Sequence, residues 1–105
     1  MPSAAPGVAE VKLSVTARRD LAGIDAYSAE EFGDKVADKY SRGMNEVFAM
    51  LADVPFAGEP RPDYGQGVRC KVFGSHRIFY RVEGKFVYVQ RILHHAQDVR
   101  ANLKQ

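Results

Sequence analysis

The chain holds 105 residues, with 15 Lys+Arg against 13 Asp+Glu for a net charge of +2, and is 46% hydrophobic and 27% charged. This length gives one small domain, not two with separate cores, and the composition excludes a disordered, collagenous or membrane-embedded chain. Apolar runs last a handful of residues, far short of the roughly 20 needed to cross a bilayer. A single cysteine, Cys70, excludes an internal disulfide and a cysteine zinc site, and the cytoplasm fits best.

The small net charge conceals an asymmetry. Residues 1–53 hold six basic and nine acidic side chains, a net of −3, whereas residues 54–105 hold nine basic ones against Glu59, Asp63, Glu83 and Asp98, a net of +5. A basic face built from the C-terminal half would meet nucleic acid or an acidic protein segment. Scattered solubilising charges would give the same total.

Residues 1–9 lack the basic start and apolar core of a signal peptide and read as a flexible lead-in. Val11, Leu13 and Val15 alternate with Glu10, Lys12 and Ser14, which predicts a half-buried strand over 8–15. Thr16 is a suitable helix N-cap, and Leu21, Ile24 and Tyr27 recur at helical steps, so 17–29 should be helical. After the break at Gly33, the residues Val36, Tyr40, Met44, Val47, Leu51 and Val54 mark an amphipathic helix that starts near Asp34 and ends before Pro55. Residues 55–67 concentrate proline and glycine and read as a loop. Three strands then follow over 68–73, 76–83 and 86–93, with breaks short enough to force antiparallel hairpins, and 96–103 is left for one or two helical turns. The expected fold is α+β: an N-terminal strand, a two-helix hairpin, a three-stranded antiparallel meander and a short C-terminal helix, with the helices on one face of the sheet.

Alternate strand residues share a face. The simplest pairing sends Val68, Cys70, Val72, Ile78, Tyr80 and Val82 under the helices and sets Arg69, Lys71, Arg77 and Arg81 together on the open face, where guanidinium groups could hold phosphate or stabilise negative charge. The bland alternative pairs these cations with acidic groups. His94 and His95, adjacent on a strand, should point to opposite faces and make a poor metal chelate; one of them near Asp98 could act singly in proton transfer or simply bond a backbone carbonyl. No nucleophile elbow and no glycine-rich phosphate loop occurs. No metal or cofactor is expected.

The stretch Ser75-His76-Arg77-Ile78-Phe79-Tyr80-Arg81-Val82, followed by Val89-Gln90-Arg91-Ile92-Leu93-His94-His95-Ala96-Gln97-Asp98, resembles the C-terminal hallmark of ParE toxins in the RelE/ParE superfamily. The resemblance extends to Leu13 through Leu21, Ile24, Tyr27, the helix around Tyr40, and Pro55 with Gly58, so it covers roughly residues 10–103, which form the single expected domain. It implies the toxin of a type II toxin–antitoxin module that inhibits DNA gyrase. The toxin would be neutralised by a ParD-like antitoxin, a ribbon-helix-helix protein whose C-terminal segment folds onto it, and would meet operator DNA only through that complex. The same fold in RelE-like relatives cuts messenger RNA on the ribosome, aided by sheet cations and a C-terminal arginine and tyrosine. Here Arg69, Lys71 and Arg77 correspond to the former, but Ala96 and Asn102 stand at the latter, which weakens a nuclease. For a gyrase inhibitor no catalytic residue is required, and Arg69, Lys71, Arg77, Arg81, Arg91 and His94 become the expected target-binding set. A ribosome-dependent endoribonuclease and a non-toxic, antitoxin-binding regulatory partner are the alternatives.

Overall fold

The computed structural model describes residues 8–103; the expected lead-in lies outside them except for Val8 and Ala9. Ala9 is buried and its N–H donates to Ala52 O at 2.7 Å, so the chain is anchored before the first strand begins. The elements are β1 (Glu10–Leu13), α1 (Val15–Phe32), α2 (Asp34–Asp53), β2 (Glu59–Pro60), β3 (Arg69–Phe73), β4 (His76–Glu83), β5 (Phe86–His94) and α3 (Val99–Leu103). They form one five-stranded sheet in the order β1-β5-β4-β3-β2, in which β1 runs parallel to β5 and every other pair is antiparallel.

Strand β1 is shorter than its alternation predicts, and α1 starts earlier. Ser14, not Thr16, caps the helix: its Oγ accepts from Ala17 N at 2.9 Å and donates to Gln90 O at 2.8 Å. A serine oxygen that satisfies an orphan helix donor fixes the helix start, and the second bond ties that start to β5. Gly33, at φ 90, takes the left-handed conformation that lets α1 stop and α2 start at once. The loop over 55–67 is partly ordered by Pro55–Ala57 and Pro62–Tyr64, each one 3-10 turn, and contributes the two-residue edge strand β2.

Two apolar layers flank the sheet. Met44, Phe48 and Leu51 of α2 and Ala17 of α1 pack on Ile78, Tyr80, Val87, Val89 and Ile92. On the opposite face Val99 and Leu103 of α3, with Tyr64, cover Val68, Cys70, Phe79 and Leu93. The expectation of helices on one face therefore holds for α1 and α2 but not for α3. Burying a side chain such as Leu51 or Phe79 contributes about 1.5–3 kcal/mol, and each layer supplies several.

The second layer also corrects the phase of β3. Cys70 lies opposite Phe79, and Arg69 opposite Tyr80, so Val68 and Cys70 belong to the α3 side and Arg69, Lys71 and Phe73 to the side of α1 and α2. Both faces of β3 carry apolar residues, so alternation alone could not tell which faces the helices. In β5 the pairing with β4 shifts between Phe79 and Tyr80, leaving Gln90 as the extra residue of a β-bulge. Val87, Val89, Ile92 and His94 consequently share one face although their numbers change parity.

Tyr80 ties the loop after α2 to the sheet. Its buried hydroxyl donates to Pro55 O at 2.7 Å and accepts from Gly58 N at 2.8 Å. A Cβ at position 58 would come within 2.5 Å of that hydroxyl, so only glycine lets the backbone approach so closely.

Candidate functional site

The six expected target-binding residues divide between the two faces of the sheet. On the side of α1 and α2, Arg69 Nη1 donates to Phe56 O at 3.1 Å and Gly58 O at 2.8 Å, and its guanidinium lies over the Phe56 ring at 4.8 Å. Arg69 therefore holds the 55–58 turn in place. Lys71, opposite Ile78, and His94, opposite His76, share this side. On the other side Arg77 donates to His95 O at 3.2 Å and has a buried Nε without a protein partner, while Arg81 donates to Gln66 O. Arg91 is enclosed: Nε and Nη2 bond Asp20 at 2.9 and 3.0 Å, and Nη1 donates to Asn102 O at 2.9 Å. The Asp20 carboxylate raises the Arg91 pKa still further, so the cation is permanent. The single basic face expected from β3 and β4 is thus corrected to two sets of three, because Arg69 and Lys71 follow the inverted phase of β3.

Beside the first set lies an apolar groove of about 550 Å³ between the α1–α2 hairpin and the β4–β5 end of the sheet. Ile24, Tyr27, Phe32, Val36 and Tyr40 line it, and His76 and His94 close its floor. Tyr27, Phe32 and Val36 are 60%, 62% and 49% exposed, an apolar helix face with no cover among the described residues. Tyr27 and Phe32 meet edge to face, with ring centroids 6.5 Å apart. Exposed aromatic side chains that converge on a concavity mark a place where a partner is bound.

All three histidines gather at this end. Tyr40 Oη lies 2.7 Å from His76 Nδ1 and accepts from Ser75 N at 3.1 Å. The His76 ring is 5.4 Å from that of His94, which stacks 4.2 Å from His95. His94 and His95 do not point to opposite faces, because β5 ends at His94 and the chain turns there. Burial, and then the neighbouring His94 and His95, push the His76 pKa down, which favours its neutral form. No group of three or more His, Cys, Asp or Glu side chains among the described residues is placed to hold a metal.

Tyr40, His76 and the exposed Tyr27 and Phe32 of the groove are functional candidates that lie outside the expected target-binding set. Their one sequence signal is an excess of large apolar residues, Tyr27, Phe32 and Val36, around the helix–helix turn. Ala96 is exposed, and the Asn102 side chain donates to Asp98 O at 2.6 Å. Neither offers an acid, a base or a stacking ring at the end of the chain.

A parallel N-terminal strand, a helix hairpin and an antiparallel meander, with a groove left open beside the hairpin, make up an α+β fold that recurs in toxin–antitoxin systems. Solved structures bear this out. The chromosomal ParDE system from P. aeruginosa superposes with a TM-score of 0.72 at 26% identity, over 84% of this chain and 97% of that one. The RelBE2 toxin–antitoxin complex of Mycobacterium tuberculosis shares the fold, with a TM-score of 0.62 at 24% identity over 83% of this chain and 98% of that one. The family model for the ParE toxin of the type II toxin–antitoxin system parDE matches residues 11–99, and the chain belongs to the ParE toxin family. Toxin ParE1 of Caulobacter vibrioides is 37% identical over 92 residues, 88% of this chain and 95% of the relative. Toxin ParE1 of Mycobacterium tuberculosis is 33% identical over 92 residues, 87% of this chain and 94% of the relative.

Proposed function

We propose that this ParE-family toxin inhibits DNA gyrase as a binding protein, without chemistry of its own, and that a ParD-like ribbon-helix-helix antitoxin neutralises it in the cytoplasm. The observation that carries the antitoxin is the uncovered groove of Tyr27, Phe32, Val36 and Tyr40. A disordered C-terminal segment that folds as an amphipathic helix into such a groove buries its apolar anchors and stabilises the toxin by mass action. Operator DNA is reached only through this complex. Gyrase as target is supported by family membership and by Ala96 and Asn102, which leave the end of the chain without nuclease groups. Of the six expected residues, Arg69 and Arg91 serve the fold, and Arg77 and Arg81 are the target-facing ones.

The test is a supercoiling assay with purified gyrase and antitoxin-free protein. Inhibition with accumulation of cleaved DNA at near-stoichiometric protein is the expected result, reversed by added antitoxin. Codon-phased cuts in messenger RNA of expressing cells, with gyrase unaffected, would assign the toxin to ribosome-dependent nucleases instead.

A further inference from the structure

We infer that the sheet face turned away from α1 and α2 carries a second docking surface, the row Lys12, Tyr88 and Arg81, which takes an acidic segment of the target protein. The inference rests on the gyrase reading and gives that target its place on the molecule.

The row crosses three adjacent strands. Lys12 of β1 pairs with Tyr88 of β5, which pairs with Arg81 of β4. Their neighbours Val11, Leu13, Val87 and Val89 pack toward α1 and α2, so alternation turns the row to the opposite face. There α3 and Tyr64 cover only the region of Phe79 and Leu93, and the row lines an open groove of about 540 Å³. Lys12 Nζ lies 4.4 Å from the centre of the Phe86 ring, itself 5.7 Å from that of Tyr88. Among the described residues neither Lys12 nor Arg81 forms an ion pair, and Arg81 commits its guanidinium to one backbone carbonyl, that of Gln66.

Two cations outside any ion pair, on backbone positions roughly one strand spacing of about 5 Å to either side of a half-buried tyrosine, present donors for a carboxylate with an apolar platform between them. Tyrosine and arginine are the residue types that dominate binding energy at protein interfaces. The next row along the same strands is Glu10, Phe86 and Glu83. Its carboxylates would repel a continuous phosphate backbone, whereas a protein segment can set an acid against Lys12 and Arg81 and a base against Glu10 and Glu83. The alternation of charge therefore selects a protein partner over nucleic acid. The surface lies across the sheet from the apolar groove, so the two can be altered separately.

Lys12→Glu and Lys12→Glu/Tyr88→Ser, purified free of antitoxin, test this in the gyrase supercoiling assay, with thermal melting and binding of the antitoxin as measures of fold. The half-inhibitory concentration is expected to rise several-fold in the single variant and at least tenfold in the double, with antitoxin affinity unchanged. A folded double variant that inhibits gyrase as the wild type does overturns the surface and leaves the gyrase reading standing. Wild-type protein that fails to inhibit gyrase overturns the reading and the surface with it. Lys12 is exposed, so its single substitution decides the matter if the double variant does not fold. Binding of a single-stranded oligonucleotide by the wild type that the double variant loses would overturn the protein partner.

Discussion

Asp20 and Arg91, 71 positions apart in the chain, form a two-pronged ion pair, and the same carboxylate accepts from Ile92 N at 2.9 Å. The side chains are only 14% and 15% exposed. Through Asn102 O the guanidinium also reaches α3, so one pair joins α1, the bulged part of β5 and the C-terminal helix.

Asp20→Ala removes three acceptor contacts and leaves the Arg91 charge half-buried and unpaired. It should cost about 2–3 kcal/mol in urea unfolding. Arg91→Met leaves the Asp20 carboxylate mostly buried with Ile92 N as its remaining partner and should cost a similar amount, and the double variant should show clear coupling between the sites.

Tyr80→Phe keeps the buried ring but strips Gly58 N and Pro55 O of their partner. A loss of about 1–3 kcal/mol is expected from chemical denaturation, with the apolar core unchanged. Gly58→Ala should destabilise as well, since the added methyl group would have to displace the Tyr80 hydroxyl.

The depressed pKa of His76 sets a pH dependence with a definite sign. The unfolded chain takes up this proton near 6.5, and the folded protein only at lower pH. The unfolded state binds more protons in that interval, so stability is complete above about pH 6.5 and falls as the solution is acidified below it. In His76→Gln the urea midpoint should decline less between about pH 6.5 and 5 than in the wild type.

Phe32→Glu and Val36→Glu alter exposed positions on the rim of the apolar groove. Each should leave the melting temperature nearly unchanged and weaken antitoxin binding by about 2 kcal/mol, roughly thirtyfold, as titration calorimetry would measure.

The elements with strong periodicity were legible in the sequence. The helix from Asp34 to Asp53 follows from Val36, Tyr40, Met44, Val47 and Leu51, and the β3–β4–β5 meander from its short breaks at Gly74 and Gly84. The site was much less so, and two local events account for it. Val68 and Cys70 serve a second apolar layer under α3, which a pattern of alternating residues does not distinguish from the first. The bulge at Gln90 then places His76 opposite His94, where a plain hairpin would place it opposite Leu93. The gathering of the histidines, and the face on which Arg91 lies, both depend on that one unpaired residue. The row of Lys12, Tyr88 and Arg81 was hidden for another reason: it needs the parallel register of β1 on β5, set by long-range packing and not by any turn.

The bulge also divides β5 into two segments with separate phases. Before Gln90 the odd-numbered positions face the helix hairpin, and after it the even-numbered ones do. Deleting Gln90 would restore plain alternation with every flanking side chain on its present face, at the cost of the Ser14 contact to Gln90 O. Adding or removing a residue elsewhere in β5 would turn all that follows to the wrong layer. Position 90 is thus the one point in β5 where the chain can change length by a single residue without the two faces of the sheet exchanging their contents.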